Sequence, residues 1–562
     1  MSDKDLRDKV IARWTQLKLE REPYIAQWRA ISELITPASG RFLGTQDNNR
    51  GRDRWNRIYD NTATRAANIL AAGLMSGMTD PSSQWFALTT GDPSLDESQA
   101  VKTWLDQVQR ILEMAFTRTN VYQALHHGWR EVGTMGVLAN VIVEDPHVGF
   151  YCHPLVIGEY CIAVDYAGRP DTLYRAFKMT ASQLYRRYGR SKLPRSVLDC
   201  IDKNKDRKFR CLHAIEPRLD RDHTKQDNRN MPWRSVVILM DGGDETSCVL
   251  EESGYNEFPA VVGRWGASAS DIYSEEAPGM VAIGDVRQLQ HQALQKGNAI
   301  DYQVNPPLIL PTNAKDQEVD FLPGGVSYIA GASANDVVQS AYNVQTRLAD
   351  LTADMRDVQM RINQAFNVDM FLMLSGGTGQ MTATEVSERH EEKLMMLGPV
   401  LSRLNNEVLR PLIERTYSIL QRAGQIPPAP EELRGQSIAI EYTSMLARSQ
   451  RAIRANSLSQ FLNVVGQVAQ FKPEVLQKVN GFNVINEYAD YYSVAPSVVV
   501  PDDEATQSLQ AQQQVQQAQA QQAQMAEAGD TIAKLGRVPS GSDTVGGQVA
   551  QGLVQAMQQG AM

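Results

Sequence analysis

The chain has 562 residues, enough for roughly three or four domains' worth of buried core. Charged residues make up 22% and the hydrophobic set 42%, an ordinary globular balance. A formal net charge of −9 excludes a surface that grips nucleic acid everywhere and leaves only local basic patches for that purpose.

The N-terminus, MSDKDLRDKVIARW, is charged and has no apolar signal core, and no apolar run of ~18 residues follows anywhere. The chain therefore reads as soluble and intracellular, with no membrane span. Residues 3 to 35 put Leu6, Val10, Trp14, Leu17, Tyr24, Trp28, Ile31 and Ile35 on one stripe, which predicts an amphipathic helix that Pro23 kinks or divides. In NNRGRDRWNRIYD (48–60), Arg50, Arg52, Arg54 and Arg57 surround Trp55, a candidate contact patch for phosphate with a ring to stack a base. A solvated interface loop accounts for the same residues more simply. YDNTATRAANILAAGLMSGMTDP (59–81) reads as a helix crowded with Ala, Gly and Ser, which fits tight packing rather than the surface.

From about 137 to 265 the pattern changes to period two. VLANVIVE, EYCIAVDYAGRPDTLYRAFK, KFRCLHAIEP, WRSVVILMDGGDETSCVLEE and FPAVVGRW read as strands joined by turn residues. Helical spacing returns over 278–304. NPPLILPTNAKDQEVDFLPGGVSYIAG then interrupts it, with Pro306, Pro307, Pro311 and Pro323. Beyond that break, Val337, Ala341, Val344, Leu348, Leu351, Met355, Val358 and Ile362 keep a four-three alternation that predicts a helix with a narrow seam, by default intrachain core.

DMFLMLSGGTGQMTATEVSERHEEK (369–393) sets Gly376, Gly377 and Gly379 before a helix whose start is marked by a capping box, Thr382 with Glu385. That helix carries Leu397, Leu401, Leu404, Val408, Leu412 and Ile419; its ~40 residues would span roughly 60 Å, with kinks expected at Pro399 and Pro411. SIAIEYTSML is strand-like, 446–492 is helical, and eleven glutamines between Gln507 and Gln524 mark a tract that is either a solvated helix or disordered.

Chemical motifs are weak. The chain has no Gly-Lys dipeptide and hence no phosphate-binding P-loop. GTGQMT lacks the third glycine of a dinucleotide fingerprint, since Thr382 stands there as a cap. HEEKL has Leu394 where a zinc-protease helix needs its second histidine, and the adjacent His126 and His127 cannot share one ligand on a helix. Cys152, Cys161, Cys200, Cys211 and Cys248 are odd in number and never spaced CxxC, which fits buried free thiols. No catalytic, cofactor or metal site is expected.

The blocks REPYIAQWRAISELITPASGRF and RIYDNTATRAANILAAGLMSGMTDPSSQWFAL, the most specific one, MTATEVSERHEEKLMMLGPVLSRLNNEVLRPLIERTYSIL, and then GQIPPAPEELRGQSIAIEYTSMLARSQR stand in an order that resembles the portal proteins, or head-to-tail connectors, of short-tailed bacteriophages. The resemblance covers nearly the whole chain. It implies an α+β, predominantly helical, portal-type ring subunit: an α/β wing (1–277), a two-helix stem (278–304 and 334–372) around a clip (305–333), a tunnel loop (373–382), a long kinked helix with its return strand (383–445), a helical crown (446–500) and a Gln/Ala-rich tail (501–562), a barrel helix or disordered. It implies a homo-oligomeric ring, expected to be a dodecamer, at the portal vertex of the virion, assembled in the host cytoplasm. Double-stranded DNA would pass through the channel, with a terminase motor, a tail adaptor, and capsid and scaffolding proteins as partners and no cofactor. The channel-facing loop would be Ser375, Gly376, Gly377, Thr378, Gly379 and Gln380, anchored by the cap at Thr382 and Glu385. Val337, Val344, Leu348, Leu351, Met355 and Val358 would serve stem or subunit packing, and the four prolines the clip. Two rivals stand beside this reading: an ATP-driven packaging enzyme, which the missing Gly-Lys motif opposes, and a scaffold or tail adaptor without a DNA channel.

Overall fold

In the computed structural model, the residues described are 3–40, 55–92, 95, 98–145, 148–225, 227–241, 248–268, 271–304, 308–309, 339–340, 348–375, 397–433, 438–442, 445–491, 498–500 and stretches between 505 and 519. The chain divides into two units, Met1–Gln450 and Arg451–Met562.

The first unit opens with α1 (Asp3–Leu34), which runs through Pro23 without a break. The division expected there does not occur. Two side chains flanking the proline anchor the helix to its neighbours: Arg21 Nη1 donates to the carbonyls of Gly158 (3.1 Å) and Tyr160 (2.6 Å), and Trp28 Nε1 donates to the Met135 carbonyl (2.9 Å). Then come α2 (Thr62–Met78), β1 (Phe86–Thr89), α3 (Gln99–Arg118) and α4 (Val121–Met135). The small residues of α2 behave as expected. Ala63, Ala66, Ala67 and Ala71 are buried, and a Cβ on Gly73 would lie 2.0 Å from Phe371 Cδ1, so only glycine admits that ring.

The period-two region folds into strands β2 (Val137–Asp145), β3 (Gly149–Leu155), β4 (Tyr160–Val164) and β5 (Pro170–Thr180). Two short helices, α5 (Ala181–Tyr188) and α6 (Arg195–Lys203), precede β6 (Lys208–Pro217), β7 (Trp233–Leu239), β8 (Val249–Tyr255) and β9 (Ala260–Arg264). One sheet has the order β3-β2-β9; the other is an antiparallel meander from β4 to β8. The meander is buried on both faces, which explains the unbroken apolar run in β7. Val236 and Ile238 face the first half of α1 (Leu6, Val10, Trp14, Leu17), while Val237 and Leu239 pack with α5 and α6 (Leu184, Val197, Cys200).

Next follow α7 (Pro278–Val281), α8 (Ile283–Val304), β10 (Leu308–Ile309), β11 (Gln339–Ser340), α9 (Leu348–Ala365) and α10 (Val368–Ser375). The seam does not run as helix from Val337: Gln339 and Ser340 pair antiparallel with Ile309 and Leu308, so strand pairing overrides the heptad-like pattern there. The described helix starts at Leu348. Residues 397–404 are helical and pass through a π-helical turn (Asn405–Leu409) into α11 (Arg410–Arg422), with Pro411 in its first turn. The irregularity expected from Pro411 is thus a π turn just before it. β12 (Ala439–Tyr442) returns to pair with β1, Phe86 opposite Tyr442.

Crossing into the second unit, α12 (Met445–Ala469) is followed by α13 (Gly481–Tyr491). The hydroxyls of Ser459 and Tyr488 lie 2.7 Å apart and tie the two helices. The described stretches between 505 and 519 are helical and nearly all exposed.

Candidate channel and assembly surfaces

Helices α8 and α9 pack side by side through Val286 and Leu289 on one and Met355, Val358 and Ile362 on the other, all buried in the chain's main core. Polar bonds edge this contact: Arg361 Nε donates to Asp285 Oδ1 at 3.0 Å, and Gln292 Nε2 donates to the Asp354 carboxylate. Met355 and Val358 therefore serve packing within the chain, while Leu348 and Leu351 are half-buried. Val337 and Val344 lie outside the described residues. So do Pro306, Pro307, Pro311 and Pro323. What is described is the pairing of β10 with β11, which sets the two ends of the 310–338 segment beside each other.

Gln290 on α8 is buried and accepts from the backbone N–H of Tyr59 (2.7 Å) and Asp60 (3.0 Å), while its Nε2 donates to the Asp60 carbonyl (2.7 Å). Gln359 on α9 donates to Asp60 Oδ2 at 2.9 Å. Both helices thus hold the strap that follows the arginine-rich stretch. Arg57 stands on a short 3-10 turn and pairs with Glu33 at 3.1 Å on the exposed surface, a contact of little energetic weight. Arg50, Arg52 and Arg54 lie outside the described residues.

Between α9 and α10 the chain turns at Asn367, which has φ 53°, a left-handed conformation that asparagine tolerates better than branched residues. The turn redirects α10 so that Phe371 enters the gap at Gly73 of α2. Ser375 is the last residue described before the glycine loop; Gly376, Gly377, Thr378, Gly379, Gln380, Thr382 and Glu385, together with the HEEKL stretch, lie outside the described residues.

The π turn is fixed by a buried ion pair. Arg264, at the end of β9, donates from Nη2 to Glu407 Oε1 (2.6 Å) and from Nε to Oε2 (3.2 Å), and its remaining donors reach the carbonyls of Asp271 (2.8 Å) and Gly168 (2.6 Å). A Cβ on neighbouring Gly263 would meet Val408 at 2.3 Å, so the glycine lets the helix lie directly on the strand. Farther along, Glu257 accepts from Arg415 (2.5 Å) and Arg422 (2.9 Å). Burial pushes the Glu257 carboxyl up, but the two guanidiniums outweigh it and hold it below its ordinary range. An open groove of about 1190 Å³ runs along this junction, but the pairs Arg169–Asp165, Arg264–Glu407, Arg410–Glu414 and Arg415–Glu257 consume most of its lining charge internally.

All five cysteines are buried and none is in a disulfide; burial pushes the thiols of Cys152 and Cys211 up to about 12. Among the described residues no group of three or more His, Cys, Asp or Glu side chains is placed to hold a metal, and no helix is long and apolar enough to cross a membrane. His126 and His127 lie on α4, His127 Nε2 4.0 Å from Glu131 Oε1.

Comparison with known proteins gives this arrangement a family. Residues 7–500 match the family described as bacteriophage head to tail connecting protein. The chain is 46% identical over 540 residues to the "Probable portal protein" of Bordetella phage BPP-1, covering 96% of this chain and 97% of that one. It is 39% identical over 500 residues to the "Portal protein" of Salmonella phage epsilon15, covering 89% of each. A chain from the neck of an empty gene transfer agent particle aligns at 10% identity over 76% of this chain and 92% of its own, with a TM-score of 0.33, too loose a likeness to carry detail. The chain belongs to the bacteriophage head to tail connecting proteins.

Proposed function

We propose that this chain is the portal subunit of a phage virion: copies close into a ring at one capsid vertex, double-stranded DNA is packaged and ejected through it, and motor and tail attach to it in turn. The observation that carries this is the end-to-end likeness to the Bordetella phage protein, 46% identity over 96% of the chain. A subunit of this kind has a mechanical task, so no catalytic residue is assigned. In the finer reading the ring is a dodecamer; α8 and α9 form the stem, 305–333 the clip that meets a terminase motor and then a tail adaptor, and 446–500 the crown. The wing meets capsid and scaffolding proteins, and Ser375 to Gln380 face the channel. The buried contact between α8 and α9 and the juxtaposed ends of 310–338 support a stem with a projecting clip. Negative-stain images of the purified protein test the reading: closed rings with a central hole are expected, and discrete monomers or filaments at micromolar concentration would overturn it.

A further inference from the structure

Between Ala181 and Arg210 the chain carries ten Lys or Arg against three Asp, a net +7 in a chain whose total is −9, so the other residues carry −16. The segment folds as one lobe. Helices α5 and α6 bury Leu184, Val197 and Cys200 together with Phe209 and Cys211 of β6. The backbone amides of Ala181 and Ser182 donate to the carbonyls of Arg207 (3.0 Å) and Lys205 (3.1 Å), which closes the turn after α6 onto the start of α5. All ten cations are exposed, and among the described residues only Arg187 (with Glu251, 4.0 Å) and Arg210 (with Asp241, 2.7 Å) form ion pairs. A compact piece of this length has a radius of gyration of about 8 Å, close to the Debye length of ~8 Å at physiological salt. The charges therefore act on a partner together rather than singly.

Two features select the partner. The lobe exposes a single large apolar side chain, Tyr185 at 44%. A protein interface is built round an apolar centre, which is missing here, whereas a phosphate backbone is held by Lys and Arg alone. The lobe also rests on its own core, separate from the one that holds α8 and α9. Ten cations per subunit in a channel would make passage tight and salt-dependent. A grip of this kind suits DNA that stays in place. We infer that the α5–α6 lobe is a second DNA contact, outside the channel, which holds a stationary stretch of duplex through its phosphates whatever the sequence. This rests on the portal reading and adds to it a surface where DNA is retained.

The test uses the full-length chain and a covalently closed circular duplex. Such a circle has no end to thread through a ring, so its retention on a filter reads outer surfaces alone. The parent should bind it at about 50 mM salt and release most of it by about 200 mM. Replacing Arg186, Arg190, Lys192 and Lys205 together with glutamine should weaken binding about tenfold or more and lower the slope of log K against log salt by about 3–4, roughly 0.9 for each lost contact. Lys4, Arg29, Arg65 and Arg118, exposed cations on α1, α2 and α3, replaced in the same way, should change neither. Lys203→Gln with Lys208→Gln should lower the slope by about 2, and decides alone if the fourfold lobe variant loses its helical circular dichroism. No retention by the parent, or equal slopes for lobe and control variants, overturns the inference and leaves the portal reading standing. The same holds if a lobe variant retains the circle as the parent does but its particles lose another virion protein, since the partner is then an acidic protein. Absence of rings from the parent sinks both, because there is then no channel for the site to lie outside.

Discussion

Glu131 on α4 sits fully buried, with Oε2 accepting from the Ile157 backbone amide at 3.2 Å. Around it stand the Tyr160 hydroxyl, Ser39, Glu159, Arg130 and, 4.0 Å away, His127. Burial pushes its carboxyl up to about 8, against the smaller opposing pull of Ile157 and Arg130. The folded state therefore holds this proton more tightly than the unfolded chain does. Well below pH 4.5 both states are protonated and the full stability is present. As pH rises toward 8 the unfolded chain releases its proton first, and stability falls, by at most roughly 4–5 kcal/mol once the folded acid ionises. Glu131→Gln keeps an oxygen for Ile157 and has no proton to lose. Urea denaturation from pH 5 to 9 should show the parent losing stability relative to this variant as pH increases; parallel profiles would mean that the native acid is already ionised at neutral pH.

At the scale of elements, the fit of α10 on α2 depends on a missing side chain. A Cβ on Gly73 would stand 2.0 Å from the buried ring of Phe371, whereas one on Gly77, a turn along the same helix, would meet nothing within 4 Å. Gly73→Ala should cost about 1–3 kcal/mol by overpacking and speed amide exchange in α10, while Gly77→Ala should be neutral or slightly stabilising through helix propensity. Equal behaviour of the two variants would show that α10 is not seated by this gap. The contrast also shows what a sequence reveals. The crowding of Ala and Gly in α2 signals close packing but cannot say which glycine receives which ring, because Phe371 lies about three hundred residues away. Continuous periods were legible, as in the α1 stripe and the strands of the meander. Strand β3 was not, since His153 and Pro154 interrupt its alternation. Helices α3 to α6 carry helical spacing, with Val101, Leu105, Val108 and Leu112 on α3, yet the sequence reading assigns none of them. Within the seam at 337–362, Gln339 and Ser340 are strand rather than helix, because a heptad-like pattern cannot register a two-residue strand pairing. The Arg264–Glu407 pair spans 143 residues and lies beyond any local pattern.

At the scale of the whole molecule, a portal must let a polyanion slide. Persistent Lys or Arg contacts to phosphate would make passage tight and salt-dependent. Twelve chains of net charge −9 would carry roughly −108, far from a surface that retains DNA. The proposed channel loop, Ser375 to Gln380, fits that requirement in composition: Gly, Ser, Thr and Gln offer weak, replaceable contacts rather than fixed charges. Replacing Gly376, Gly377 and Gly379 with alanine should leave assembly intact and impair packaging or retention of DNA. Thr378→Lys with Gln380→Lys should instead add about two phosphate contacts per subunit and make translocation steeply dependent on salt. Gly73→Ala separates the loop from its footing, since it disturbs α10 without touching the loop's own residues. Packaging assays across a salt series, run on rings already shown to be closed, read all three. If both loop variants package and hold DNA as the parent does at every salt concentration, the loop does not act on DNA, and the channel-facing surface must be sought on another element.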